Sequence, residues 1–192
     1  MTPRVLLETE RLLLRAFTSD DIDLILELDS DPEVMRWING GTPTSREFAE
    51  RQIIPLFTSY DGDFGFWAAH LRSDGEFVGW FCLRRNEGEE AALGYRLLRR
   101  FWRLGLATEG SLALIELAFT KLGVRRVMAG TYEHNTASRR VMEKVAMRHV
   151  RSWRPTEEDM AAPTETYEVS STEPWDGEDV EYAIEIDDFR RR

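Results

Sequence analysis

Arg99-Arg100-Phe101-Trp102-Arg103-Leu104-Gly105-Leu106-Ala107-Thr108-Glu109-Gly110 is the stretch that decides the fold of this 192-residue chain. An alternating apolar run, Leu93-Gly94-Tyr95-Arg96-Leu97-Leu98, enters it, and a long amphipathic run from Leu112 to Leu122 leaves it. The pattern predicts a strand, a tight basic turn and a helix. Such a turn aims unpaired backbone N–H groups and the positive end of the helix dipole at one point, which suits a pyrophosphate. Arg96, Arg99, Arg100 and Arg103 are expected to add mobile positive charge around it. An ordinary strand-to-helix turn with a close-packed glycine fits the same residues, because a lone glycine motif carries little information.

A second segment narrows the reading. The strand-like Arg126-Val127-Met128-Ala129-Gly130 is followed by Thr131-Tyr132-Glu133-His134-Asn135-Thr136-Ala137-Ser138-Arg139-Arg140-Val141-Met142-Glu143-Lys144-Val145-Ala146-Met147. Together the two segments resemble the GCN5-related N-acetyltransferase (GNAT) superfamily, in its RimJ/RimL-like branch of ribosomal-protein acetyltransferases. That branch carries W-G-x-G-x-A-T-E and, one strand later, N-x-x-S-x-x-x-x-E-K-x-G-[FM]. Here the first reads W-R-L-G-L-A-T-E from Trp102, and the second N-T-A-S-R-R-V-M-E-K-V-A-M from Asn135. The opening Leu7 to Arg15 and the closing Val180 to Ile184 extend the resemblance over nearly the whole chain.

The resemblance implies one α/β domain over residues 1–192, with a mixed, mostly antiparallel sheet of about six to seven strands and about four helices. It implies acetyl-CoA as acyl donor and a primary amine as acceptor. Cofactor binding then falls to Arg103, Leu104, Gly105, Leu106, Ala107 and Thr108 in the turn. Backbone groups at Leu97 and Leu98, where the family splays its sheet, and the Asn135 amide would hold the pantetheine arm. Arg103 departs from the family, which has glycine there. Its side chain must turn away from the pyrophosphate or add a charge-assisted contact to a phosphate. Ser138, one turn into the second helix, is the implied general acid for the departing thiolate. A hydroxyl is a weak acid, so the expected contribution is modest. Asn135 also suits a helix N-cap, and His134 is an ordinary turn histidine.

No general base is assigned. Many family members carry a carboxylate just before the L-G-Y of the strand beside the cofactor, where this chain has Ala91-Ala92. Glu89 and Glu90 lie upstream, Glu109 suits a helix start, and Glu165 and Glu168 sit in a late acidic segment. Positioning of a neutral amine lowers the barrier without a base. Arg103, Ala92 and Ala146 in place of glycine also fit a non-catalytic acyl-CoA-binding sensor or assembly module of the same fold.

Composition bounds the rest. Hydrophobic residues make up 42% of the chain, with six Trp and ten Phe, which fits a folded core. No apolar run is long enough to span a membrane, and Met1-Thr2-Pro3-Arg4 lacks a signal-peptide core, so a cytoplasmic location is expected. The single cysteine, Cys82, lies in an apolar run and is expected to pack in the core. No metal is expected. Thirteen of the 35 acidic residues fall between Pro155 and Asp188, which contains no Lys or Arg, so the remainder holds 22 acids against 25 bases. A net charge of −10 argues against nonspecific nucleic-acid binding.

The acceptor groove is implied to lie between about Met35 to Thr44 and about Trp153 to Asp179, with Trp37, Trp153, Tyr167 and Trp175 as candidate walls. The acidic segment would favour a cationic acceptor: a polyamine, an aminoglycoside-like sugar, or a protein N-terminus flanked by basic residues. A homodimer is compatible with the resemblance. Along the chain, strands are expected at Leu12 to Arg15, Phe64 to Leu71, Phe77 to Leu83 and Leu93 to Leu98. Ser73-Asp74-Gly75-Glu76 is a hairpin turn. Helices are expected after Thr18 and Ser45, with Asp31-Pro32 ending the first, Pro55 bending the second or ending its first part, and Trp37 to Pro43 as loop.

Overall fold

A computed structural model describes residues 3–60, 62–154 and 177–191. Eight strands of the described residues form one sheet: β1 (Val5–Glu8), β2 (Leu12–Ala16), β3 (Gly65–Leu71), β4 (Phe77–Arg85), β5 (Glu90–Leu97), β6 (Arg126–Tyr132), β7 (Arg148–Trp153) and β8 (Asp179–Glu185). Their order is β1-β2-β3-β4-β5-β6-β8-β7, antiparallel throughout except β5–β6. Among the described residues the helices are α1 (Ile22–Asp29), α2 (Pro32–Asn39), α3 (Arg46–Phe48), α4 (Ile54–Thr58), α5 (Leu106–Lys121), α6 (Thr136–Lys144) and α7 (Ile186–Phe189). The fold is α/β with a mixed, mostly antiparallel sheet, as the resemblance implies, with β1 and the short helices beyond the expected number.

The central strands read as continuous apolar runs because both faces of the sheet are covered. In β4, every residue from Phe77 to Leu83 is buried. One face lies under α5 and α6. Gly110 of α5 is required there, since a Cβ would stand 2.4 Å from the Phe81 ring. The other face lies under α1 to α4, where Phe57 stacks on Phe66 at 4.1 Å and meets the edge of Trp80. Across this face Arg96 of β5 reaches Asp29 at the end of α1, 2.9 Å apart and both buried, and Thr44 donates to the other Asp29 oxygen at 2.9 Å.

Two expectations about the early helices change. Pro32 does more than close the first helix: it opens α2 from the first turn, with the Asp31 carboxylate accepting from the Glu33 N–H at 2.9 Å. Proline is tolerated there because that N–H has no helical partner. Trp37 to Asn39 are therefore helical, and Gly40 closes α2 in the left-handed conformation at φ 77°. The second helix is interrupted by a π turn over Ala49–Ile53 just before Pro55. The wider turn accommodates a ring that lacks an N–H and crowds the preceding carbonyls.

Candidate active site

The site begins where two parallel strands part. β5 and β6 pair only at Glu90↔Arg126, Ala91↔Val127 and Ala92↔Met128. Beyond that rung β5 continues on β4 to Leu97, and β6 continues on β8 to Tyr132, so a wedge opens between them. The Leu98 N–H donates to the Val78 carbonyl at 2.9 Å. Strand alternation then turns the backbone groups of Leu93, Tyr95 and Leu97 away from β4 and into the wedge.

The open backbone thus differs from the expectation at Leu97 and Leu98. The Leu98 N–H is occupied by Val78, and the Leu97 carbonyl accepts from the Trp102 indole at 2.8 Å. Both side chains are core. What remains at the wedge is the Leu97 N–H together with the backbone of Leu93 and Tyr95.

The turn beyond β5 is built around two left-handed residues, Arg103 at φ 64° and Gly105 at φ 82°. Gly105 is the N-cap of α5 and brings no capping side chain. The first-turn N–H groups of Leu106, Ala107 and Thr108 therefore have no acceptor among the described residues, and they point along the helix axis away from the chain. Leu104 is exposed. Glu109 is not a free carboxylate. It accepts from the Thr9 hydroxyl at 2.5 Å, the Arg11 N–H at 2.8 Å and the Arg11 guanidinium at 2.6 Å. Arg11 also donates to the Leu104 carbonyl at 2.9 Å. Glu109 thus pins the β1–β2 turn to the basic turn. Burial alone would raise its carboxyl pKa; the hydrogen bonds from Thr9 and Arg11 outweigh that and hold it below the usual range.

The expected cluster of mobile arginines is smaller than the sequence suggests. Arg96 is buried on Asp29. Arg100 bridges Glu27 at 2.9 Å and Glu76 at 2.7 Å. Arg99 and Arg103 are the exposed members that make no ion pair with a described residue.

On the other side of the wedge, Asn135 caps α6. Its side-chain oxygen accepts from the Ser138 N–H at 3.2 Å, and its amide nitrogen donates to the Thr131 hydroxyl at 3.1 Å. Ser138 faces β5: its Oγ lies 3.0 Å from the Tyr95 hydroxyl, which also donates to the Ser138 carbonyl at 3.1 Å. Burial pushes the Tyr95 phenol up to about 12, against a smaller opposing effect of the Ser138 hydrogen bond. Tyr95 therefore remains a proton-bearing donor at neutral pH. The sequence signal for Tyr95 is only its place in L-G-Y, which does not by itself mark a site residue. His134 is exposed and packs edge-on against Tyr132 at 5.2 Å.

Alternation places Trp80, Cys82 and Arg84 of β4 and Ala92, Gly94 and Arg96 of β5 on the α1–α4 face, beside Met128 of β6. The candidate bases fall elsewhere. Glu89 and Glu90 lie at the closed end of the wedge, opposite Arg125 and Arg126. Glu181 of β8, opposite Gly130, is a buried carboxylate on this face; Arg151 binds it at 2.9 and 3.2 Å. Trp37 of α2 packs on Tyr132 at 5.4 Å, at the open end of the wedge. Trp153 pairs instead with Arg151 on β7, the edge strand. Glu165, Glu168, Tyr167 and Trp175 lie outside the described residues. Among the described residues no cluster of three His, Cys, Asp or Glu side chains could hold a metal, and no helix is long and apolar enough to cross a membrane.

A sheet that splays beside an open helix N-terminus, with two hydroxyl groups facing each other across the gap, offers an anion site and a proton donor in one cleft. The model of the acetyltransferase (GNAT) domain matches residues 11–148. The chain belongs to this acetyltransferase family and is an acyltransferase by that membership. It is 31% identical over 159 residues to the FsC-acetyl coenzyme A-N(2)-transacetylase of Aspergillus fumigatus, covering 77% of this chain and 66% of that protein, just under two thirds of its length. In fold it is similar to a GNAT-family acetyltransferase from Bacillus anthracis, with TM-score 0.75, 24% identity, and coverage of 96% of this chain and 99% of that one. It is also similar to a ribosomal L7/L12 alpha-N-protein acetyltransferase in complex with coenzyme A, with TM-score 0.71, 17% identity, and coverage of 96% and 99%.

Proposed function

We propose that this protein is an acetyl-CoA-dependent N-acetyltransferase for a primary amine, borne by a small molecule or a protein N-terminus. The observation that carries the reading is the wedge past Ala92 and Met128, with the open N-terminus of α5 at its mouth and Ser138 and Tyr95 across its middle. Acetyl-CoA supplies the thioester whose acyl group moves. The N–H groups of Leu106, Ala107 and Thr108, with the nest set by Arg103, Leu104 and Gly105, would receive its pyrophosphate. The exposed Arg103 head would add a charge-assisted contact to a phosphate. Backbone groups of Leu93, Tyr95 and Leu97 would pair with the pantetheine amides, and the Asn135 cap would border the arm.

In the transfer, an amine nitrogen bonds to the acyl carbon, the carbon–sulfur bond breaks, and a proton from the amine ends on the thiolate. Ser138 supplies a proton to the sulfur, and the proton that the amine sheds on attack passes through the Tyr95 hydroxyl back to the Ser138 oxygen, so both hydroxyls end protonated. No described carboxylate stands free beside Ala92, so the amine must arrive neutral. The pH dependence of kcat/KM should therefore follow the pKa of the acceptor amine itself. A limb near pH 6 that is common to acceptors of different pKa would contradict this.

Ser138→Ala tests the assignment. Turnover should fall by roughly tenfold or more while acetyl-CoA affinity stays unchanged. An unchanged kcat would remove Ser138 from the chemistry. The acidic segment, which favours a cationic acceptor, would show itself as an acceptor KM that rises with salt. Binding of acetyl-CoA with no amine turned over would favour the sensor reading, which the alanine at position 92 supports.

A further inference from the structure

Arg84 of β4 lies directly beside Ala92 of β5. Its Nε is closed off from solvent and makes no hydrogen bond, and the guanidinium makes no ion pair or hydrogen bond with any described residue. The residue as a whole is only half-buried, so its head borders a water-accessible face. The Nε atoms of Arg96 and Arg126 likewise make no hydrogen bond, but their heads are engaged: Arg96 with Asp29, and Arg126 with Glu90, Glu181 and Glu185. A buried donor left unmade is destabilising, and natural proteins tolerate few of them.

The surroundings say what is missing. Ala92 puts no polar side chain beside Arg84 and is not fully buried, whereas the Cys82 sulfur covers Gly94. A carboxylate at position 92, which the family resemblance leads one to expect, would neutralise Arg84. Alanine leaves the charge open at the last rung before the wedge. From Arg84 to the wedge is one strand spacing and one residue step, about 4.8 Å and about 3.4 Å. An anion held there lies within a few bonds of an amine placed in the wedge.

We propose that Arg84 receives a carboxylate of the acceptor, which makes the acceptor an amine with a carboxylate a few bonds away. Free amino acids and acidic peptide N-termini share this chemistry. The proposal rests on the N-acetyltransferase reading and names its substrate class.

The test measures thiol release from acetyl-CoA with L-glutamate, L-phenylalanine and a short peptide beginning with glutamate, against phenethylamine and spermidine. Carboxylate-bearing acceptors should be preferred, and comparing the amino acids with the peptide separates the two sources. Arg84→Gln should raise the KM of the preferred acceptor by about tenfold or more, with the KM of acetyl-CoA unchanged and partial recovery in Arg84→Lys. Preference for phenethylamine or spermidine, or an acceptor KM indifferent to Arg84→Gln, would overturn the proposal. A binding measurement stands apart from turnover. L-glutamate should raise the Tm of the wild-type protein but not of Arg84→Met, and Arg84→Met alone should melt about 2 °C or more higher because the unpaired head is gone. If acetyl-CoA binds but no amine is acetylated, the transfer reading fails. The carboxylate site then stands or falls on the glutamate shift.

Discussion

Arg103 and Ala146 hold left-handed backbone at φ 64° and 61°, a conformation that costs a side-chain-bearing residue about 1–2 kcal/mol. Both occupy positions where the resembling family has glycine, so the backbone geometry persists although the residue does not. Ala146 closes α6, its N–H donating to Glu143 and the Met147 N–H to Met142. Arg103→Gly and Ala146→Gly should each stabilise by about 0.5–1 kcal/mol, the relieved strain less the extra chain entropy of glycine. A urea midpoint that rises for both checks this, and a fall at either would refute it. Arg103→Gly should also raise the KM of acetyl-CoA, since it removes the phosphate contact while keeping the nest. Strain retained at two positions argues that the turn's shape matters more than the residue that fills it.

At the scale of elements, the link between the β1–β2 turn and the start of α5 runs through Glu109. Its carboxyl is held below the usual range, so the stability it adds is complete above the unfolded-state value and lost as pH falls through the folded one. Glu109→Gln should flatten the acid limb of a pH–stability curve. It should also weaken acetyl-CoA binding more than it weakens the fold, because Arg11 would release the Leu104 carbonyl. Equal losses in both would assign Glu109 to stability alone. The strand–turn–helix at 93–122 was legible because its signals are local: alternation, a glycine and an amphipathic run. The helix α2 was not legible, since Pro32 serves equally to end one helix and to begin the next, and only the tertiary path decides. The parting of β5 and β6 is a non-local event that no single segment encodes. For that reason the open backbone moves from Leu97 and Leu98 toward Leu93 and Tyr95.

Across the whole molecule, the buried Arg96–Asp29 pair ties the helices of one face to the strand that borders the wedge. In the sequence Arg96 looked like one more surface charge beside the basic turn. Its partner lies 67 residues away, and periodicity gives no hint of it. Asp29→Ala should cost about 3–5 kcal/mol, because a guanidinium would remain buried without its counter-charge. A double change to Asp29→Leu and Arg96→Met should recover most of that loss in thermal unfolding. No recovery would mean that the pair acts through the Thr44 hydrogen bond and not through charge balance. Ser138 and Asn135 were identifiable from a motif. Tyr95 and Arg84 became visible only when the sheet set them beside Ser138 and Ala92.

The most direct test of the wedge as an acetyl-transfer site is release of CoA thiol at fixed acetyl-CoA, across an amine panel, by the wild-type protein and Ser138→Ala. Saturable release with one class of amine is the predicted result, slowed by Ser138→Ala at unchanged acetyl-CoA affinity. Tight acetyl-CoA binding with no release from any amine, at any pH between neutrality and the amine pKa, would contradict it.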